Sequence, residues 1–139
     1  MTQEDKDLLL IDLCARLPYG VITRSEFEEY EDGKCVVHYT DLPLVRKNSD
    51  GWDIITLLSY GIVKYKMKPY LRPMSSMTEE EYNELKEFES YYGIPPIEVI
   101  DDWAPNYEVI DWLNEHHFDY RGLIGKGLAL PAPEGMYND

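Results

Sequence analysis

Two adjacent histidines and an aspartate, His116-His117-Phe118-Asp119, are the side chains whose types could move a proton or hold a metal ion. Helical zinc sites place two imidazoles four residues apart on one face. Neighbouring helical positions instead point about 100° apart, so His116 and His117 do not form that pair. A third ligand would have to be Asp119 or a distant acid. The spacing favours one solvent-facing imidazole and one hydrogen-bonded against the core, and no metal or cofactor is expected.

Lys64, Lys66 and Lys68, followed by Tyr70 and Arg72, put cations and an aromatic ring at alternating positions. On a strand, that alternation would present a basic face able to meet phosphates, with Tyr70 available to stack on a base of single-stranded RNA. The competing explanation is lysine protection of an exposed strand. Gly122, Gly125 and Gly127 have a GxxGxG spacing that matches neither a Walker loop nor a dinucleotide fingerprint, and a helix cap and turn suffices for them. Asp101-Asp102 is an ordinary helix-end pair of acids. No serine or cysteine stands in a nucleophile elbow or triad context.

These residues lie in a chain of 139 residues and 16.3 kDa, with 27 Asp and Glu against 13 Lys and Arg, a formal net charge of -14. The length suits one domain, residues 1–139. Such a deficit of positive charge argues against duplex DNA as a partner, because phosphate neutralisation needs a basic footprint. Two cysteines do not make a disulfide scaffold, and Cys14 and Cys35, each among apolar neighbours, are expected to be reduced core or near-core thiols. No apolar run approaches a membrane span, and the acidic start does not resemble a secretory signal. A cytoplasmic location is therefore expected.

The charge is uneven. Residues 75–119 carry thirteen acids and one base, Lys86, whereas residues 33–74 carry three acids and seven bases. Internal complementarity between the two segments is the first explanation, and an acidic surface for a basic protein partner the second.

The elements that must position these residues follow from periodicity. Thr2 caps an amphipathic helix whose buried face would carry Leu9, Leu10, Leu13, Cys14 and Leu17, with Pro18 as its stop. Residues 21–30 and 34–41 flank Glu31-Asp32-Gly33, a hairpin signal; if the turn centres on Asp32-Gly33, Glu31 faces Lys34 and Arg24 faces Asp41, but neither face is cleanly apolar, so the pattern leaves the register open. Continuing the second strand through Pro43 requires an edge position. The run 52–60 fits either strand or helix, with the β-branched Ile54, Ile55 and Thr56 favouring strand, and Ile62 to Lys68 is expected as a clearer, half-exposed strand ended by Pro69 and Pro73. Thr78 and Glu81 form a capping box for a helix reaching about Tyr91, with Tyr82, Leu85 and Phe88 as its apolar stripe. Asn106 would cap a third helix, Tyr107 to His117, burying Ile110, Leu113 and His117; Arg121 to Ile124 would add a last helical turn. Trp103 and Trp112 are expected core anchors.

Three stretches also carry a resemblance: DLLLIDLCARLPYGV (7–21), KPYLRPMSSMTEEE (68–81) and IDWLNEHHFDYRGLIGKGLALPAPEGMY (110–137). On these the chain resembles a family of small uncharacterised proteins of gut anaerobic bacteria and their phages or mobile elements. The resemblance implies a small, complete accessory-gene product and no particular activity. It directs attention to the tail, His116, His117, Asp119, Tyr120 and Arg121, as a shared site or a shared structural lock.

The expectation is thus an α+β domain: an N-terminal helix, a small antiparallel sheet from residues 20–68, and a C-terminal helical segment. Its expected role is non-enzymatic, an acidic helical surface engaging a basic protein partner, with no duplex DNA and no membrane involved. The alternatives are a nucleic-acid mimic of anti-restriction type, a metal-dependent enzyme built on the paired histidines, and RNA contact through Lys64, Lys66, Lys68 and Tyr70.

Overall fold

The computed structural model describes residues 1–44, 53–87 and 107–137. The expected turn at 47–51, the continuation past Glu87, Phe88, the Pro95-Pro96 connector, Asp101-Asp102, Trp103 and the Asn106 cap lie outside the described residues.

Helix α1, Gln3–Arg16, begins as its sequence dictates: the Thr2 hydroxyl accepts from the Asp5 amide at 3.1 Å, and the Asp5 carboxylate accepts from the Thr2 amide. Leu9 and Leu13 are fully buried, but so are Asp12 and Arg16, which share that face at helical spacing. A 3-10 turn, Leu17–Tyr19, ends at Gly20 with φ +69°, a left-handed residue that glycine adopts without steric cost.

Strands β1, Ile22–Glu31, and β2, Lys34–Pro43, pair antiparallel in the register that a turn at Asp32-Gly33 sets, with Glu31 opposite Lys34 and Arg24 opposite Asp41. Asp32 (φ +52°) and Gly33 (φ +78°) are both left-handed, as a type I′ turn requires. The sheet order is β2-β1-β3-β4, so β2 is an edge strand and tolerates Pro43.

The middle segment departs from expectation. Residues 54–64 form helix α2, Ile54–Lys64, rather than strand, with the Asp53 carboxylate capping the Thr56 amide at 2.8 Å. Local β propensity yields to tertiary packing: Leu58 and Ile62 recur on one helical face and are buried beside Leu9 and Leu13. The strand expected at Ile62 to Lys68 is also corrected. Lys64 ends α2, Lys66 takes φ +49°, and strand β3, Lys68–Leu71, begins where the previous strand was expected to stop. Pro69 is buried inside β3. The lysines therefore do not form one ladder face.

Strand β3 runs antiparallel to β1 at Thr23 and Arg24, and parallel to β4, Leu130–Pro131, at the chain's far end. Helix α3, Glu79–Lys86, starts with the expected Thr78 and Glu81 capping box. Helix α4, Tyr107–Glu115, stops before the histidines, and residues 121–124 make turns rather than a last helix. One apolar cluster unites α1, α2, β3 and the tail residues Leu123 and Leu128. A second unites Leu85 of α3 with Val109, Trp112 and Leu113 of α4, and with Phe118 and Tyr120. This is the α+β architecture expected, with α2 inserted between β2 and β3 and a parallel strand supplied by the tail.

Arg72, just after β3, holds α3 by two parallel bonds to Glu81, at 2.6 and 2.7 Å. The Arg72 guanidinium keeps the Glu81 carboxyl at about 2, well below its ordinary 4.5. A carboxylate depressed in the folded state adds stability that is complete above its ordinary range and is lost as pH falls through the folded value. With both side chains mostly covered, we expect on the order of 1–2 kcal/mol to disappear between about pH 4.5 and 2. Urea unfolding across that range should show the loss, and Glu81→Gln should flatten this limb while lowering stability at pH 7.

Candidate interaction surface

Of the tail residues singled out by sequence, Asp119 and Tyr120 are buried, whereas His116, His117 and Arg121 are partly exposed. His117 takes φ +64° after the last turn of α4, reversing the chain so that Phe118 enters the core. The turned segment zips onto the residue after β3: the Arg72 amide donates to the His117 carbonyl at 2.7 Å, and the Asp119 amide to the Arg72 carbonyl at 2.8 Å. The Asp119 carboxylate accepts from the Leu123 and Ile124 amides at 2.8 and 3.0 Å, which folds residues 119–124 into a closed turn. Tyr120 donates to Asn114 Oδ1 at 2.9 Å.

Helix α1 meets this turn with its buried charges. Asp12 Oδ2 accepts from Arg16 Nε at 2.8 Å, and Asp12 Oδ1 lies 3.2 Å from Arg121 Nε. Arg16 Nη2 reaches across to donate to the Phe118 carbonyl at 2.6 Å. The two guanidinium groups lie 5.2 and 5.0 Å from the Tyr120 ring centroid. Asp119, Tyr120 and Arg121 thus lock α1, α4 and the tail together.

The two histidines part company. The His116 ring stacks on Trp112, 4.1 Å between centroids, with Nδ1 2.9 Å from the Trp112 carbonyl oxygen. The His117 ring stacks on Tyr137 at 3.7 Å. Asp119 spends its carboxylate on backbone amides. Among the described residues, three His, Cys, Asp or Glu ligand atoms approach within 4.8 Å of one another only at exposed Glu29, Glu31 and His38, on the hairpin.

Sequence reasoning missed Asp12, Arg16, Asn114 and Tyr137 as members of this interior. The signal for the first two was present: positions 9, 12, 13 and 16 share a helical face. Tyr137 carried no local signal. Its hydroxyl accepts from the Ile22 amide at 2.9 Å and donates to the Tyr70 carbonyl at 2.7 Å, pinning the tail across β1 and β3. Burial pushes this phenol up to about 12.

The basic candidates are dispersed. Lys66 Nζ stands 3.7 Å from Glu26, and Lys68 lies opposite Arg24 in the sheet. Tyr70 donates to Asp41 at 2.9 Å, and burial together with that carboxylate raises its hydroxyl above the ordinary value. Cys14 is half-buried and its thiol is raised by burial; Cys35 is exposed on β2, contrary to the near-core position expected.

What the body leaves outside is the β1–β2 hairpin. Only its root is covered: Val21 and Thr23 are buried, whereas the last five residues of β1 and nearly all of β2 are exposed. From the Phe27–His38 rung to the Glu31–Lys34 rung the ribbon extends roughly 14 Å, at about 3.4 Å per residue. Large apolar side chains remain open on it, with Tyr30 82%, Leu42 61% and Tyr39 56% exposed. Arg24 covers the Tyr39 ring at 4.5 Å, and Phe27 rests on Tyr65 at 4.9 Å, so support is concentrated at the base. Residues 26–32 contribute five acids, Glu26, Glu28, Glu29, Glu31 and Asp32, flanked by Arg24 and Lys34 as the nearest cations in sequence.

Compared with protein-family models, with curated proteins and with solved structures, the chain matches none. No described helix is long and apolar enough to cross a membrane.

Proposed function

We propose that this protein is a non-enzymatic interaction module that binds a basic protein partner, and that the acidic, aromatic β1–β2 ribbon is its contact surface. One observation carries the reading: beyond the Phe27–Tyr65 contact, the outer residues of β1 are exposed among the described residues, and the ribbon keeps tyrosine and valine side chains in water beside a run of acids. Isolated two-stranded ribbons are marginal in water, and exposed aromatic residues within a charged rim are the composition of a binding patch. The tail histidines, Asp119, Tyr120 and Arg121 support the body instead. The sequence placed the acidic surface on the helices; there Glu79 and Glu80 serve the first turn of α3, and Glu81 is committed to Arg72.

Titration of the full chain with a lysine-rich peptide, followed by calorimetry, tests this. Binding should weaken about tenfold as salt rises from roughly 20 to 300 mM, because ion pairing at exposed sites is screened. Replacing Glu28, Glu29 and Glu31 together by lysine should weaken it about tenfold or more, since like charges then face the peptide. The matched α3 variant, Glu79→Lys with Glu80→Lys, should change affinity less than about twofold. Loss confined to the α3 variant would return the surface to the helices. Absence of salt-dependent binding would refute the function.

A further inference from the structure

The ribbon has two long edges, and they differ. In β1 the odd-numbered residues bond to β2, as the Leu44 amide bonded to the Val21 carbonyl at 2.7 Å shows at the root. The even-numbered residues therefore turn their amides and carbonyls the other way. The Glu26 amide confirms this by donating outward to the Tyr65 carbonyl at 2.7 Å. That bond continues the lane in which β3 pairs with Thr23 and Arg24. Past Glu26 the lane is empty: among the described residues, no backbone group bonds to the outward amides of Glu28 and Tyr30. A cleft of about 450 Å³ runs along this stretch, walled on its other side by Lys64, Tyr65 and Lys66 at the end of α2.

We infer that an extended basic segment of a partner protein adds to the sheet in this cleft, antiparallel or parallel to β1, bonding to Glu28 and Tyr30. This rests on the interaction reading above and specifies its mode. Backbone bonds to an open edge supply affinity without demanding a particular sequence, and alternate side chains read the flanking surface. The charges choose the occupant. The β1 side chains along the edge include Glu26, Glu28, Glu29 and Glu31; the facing wall carries Lys64 and Lys66, of which Lys66 stands 3.7 Å from Glu26, so the acids outnumber the bases along the lane. A second copy of the chain is disfavoured, because antiparallel self-pairing centred on Glu28 sets Glu28 against itself, and like charges directly opposite destabilise a ladder. An incoming strand with lysine or arginine at alternate positions meets acids instead. The outer edge of β2 is also open, but Lys34 and His38 stand on that strand with the single acid Asp41, so it offers no acidic track.

The test uses the full chain and an end-capped peptide of about eight residues alternating lysine and threonine, long enough to span the open lane. Amide exchange measured by NMR at saturation should slow about tenfold or more at Glu28 and Tyr30, with Val37 and Tyr39 on the β2 edge unchanged. Tyr30→Pro removes an outward amide while sparing the bonds to β2, and should weaken binding about tenfold; Val37→Pro, its counterpart on the other edge, should leave affinity within about twofold. Circular dichroism reports whether each variant keeps its fold, and the wild-type exchange map decides if Tyr30→Pro does not. Protection at Val37 and Tyr39, or salt-sensitive binding without protection on either edge, overturns strand addition in β1 and leaves the acidic-surface function standing. No binding at low salt overturns both.

Discussion

Asp12→Ala should cost about 3–5 kcal/mol of folding stability, lowering the thermal midpoint by roughly 10–20 °C. Asp12 and Arg16 are both 0% exposed, four residues apart on α1. Moving these charges out of water is expensive, and their pairing is what offsets it. Removal of the carboxylate leaves Arg16 buried with its bond to the Phe118 carbonyl, while Nη1 already has no hydrogen-bond partner among the described residues. Arg121 also loses the oxygen 3.2 Å from its Nε, but it is 27% exposed and can turn toward water. Arg16 therefore dominates the loss. A double variant, Asp12→Leu with Arg16→Met, should recover part of the stability, because an apolar pair of similar volume carries no charge-desolvation penalty, while the Phe118 carbonyl still loses its Arg16 donor. Denaturant unfolding of wild type, Asp12→Leu, Arg16→Met and the double variant measures the coupling directly. A loss below about 1 kcal/mol for Asp12→Ala would mean that water reaches this interior.

Asp119→Ala should follow at about 2–4 kcal/mol, through a different cause. The Asp119 carboxylate is the acceptor for two amides, those of Leu123 and Ile124, and Leu123 is fully buried. Without it those donors lie in a turn with nothing to accept from them, and an unmet buried donor costs its full desolvation. The damage should spread outward from that turn, since Leu123 and Leu128 belong to the cluster that includes α1 and α2. Asp119→Asn keeps one carbonyl oxygen but points an NH2 at the second amide, so it should recover only part of the loss. Equilibrium unfolding gives the magnitude. Faster amide exchange at Leu123 and Ile124 in a still-folded variant places it at the turn, and unchanged exchange there would refute the mechanism. Because the carboxylate is committed to the backbone, neither variant should alter peptide binding at the ribbon by more than about twofold.

Where sequence signals were local, the structure follows them closely. The Asp32-Gly33 turn sets the hairpin register because both residues must be left-handed, and one rung then determines every other. The caps at Thr2 and Thr78 need only a hydroxyl and an acid three residues later. Residues 54–68 depart from their local signals for an equally physical reason. Ile54, Ile55 and Thr56 favour strand locally, and Lys64, Lys66 and Lys68 alternate as in a half-wet strand. The burial of Leu58 and Ile62 against α1 outweighs both signals.

The candidate site shows the same division. Chemistry-bearing residues in the tail were visible as types, but their partners lie about a hundred positions away: Arg16 bonds to the carbonyl of Phe118, and Tyr137 to the amide of Ile22. No periodicity encodes such pairings. By itself the sequence determined the acidity, the α+β class, the capped helices and the hairpin turn, since each depends on neighbours along the chain. Tertiary structure alone decided that Asp119, Tyr120 and Arg121 turn inward while the ribbon stays outside. Burial depends on what packs from distant segments, and among the described residues β1 beyond its Phe27–Tyr65 contact stays exposed.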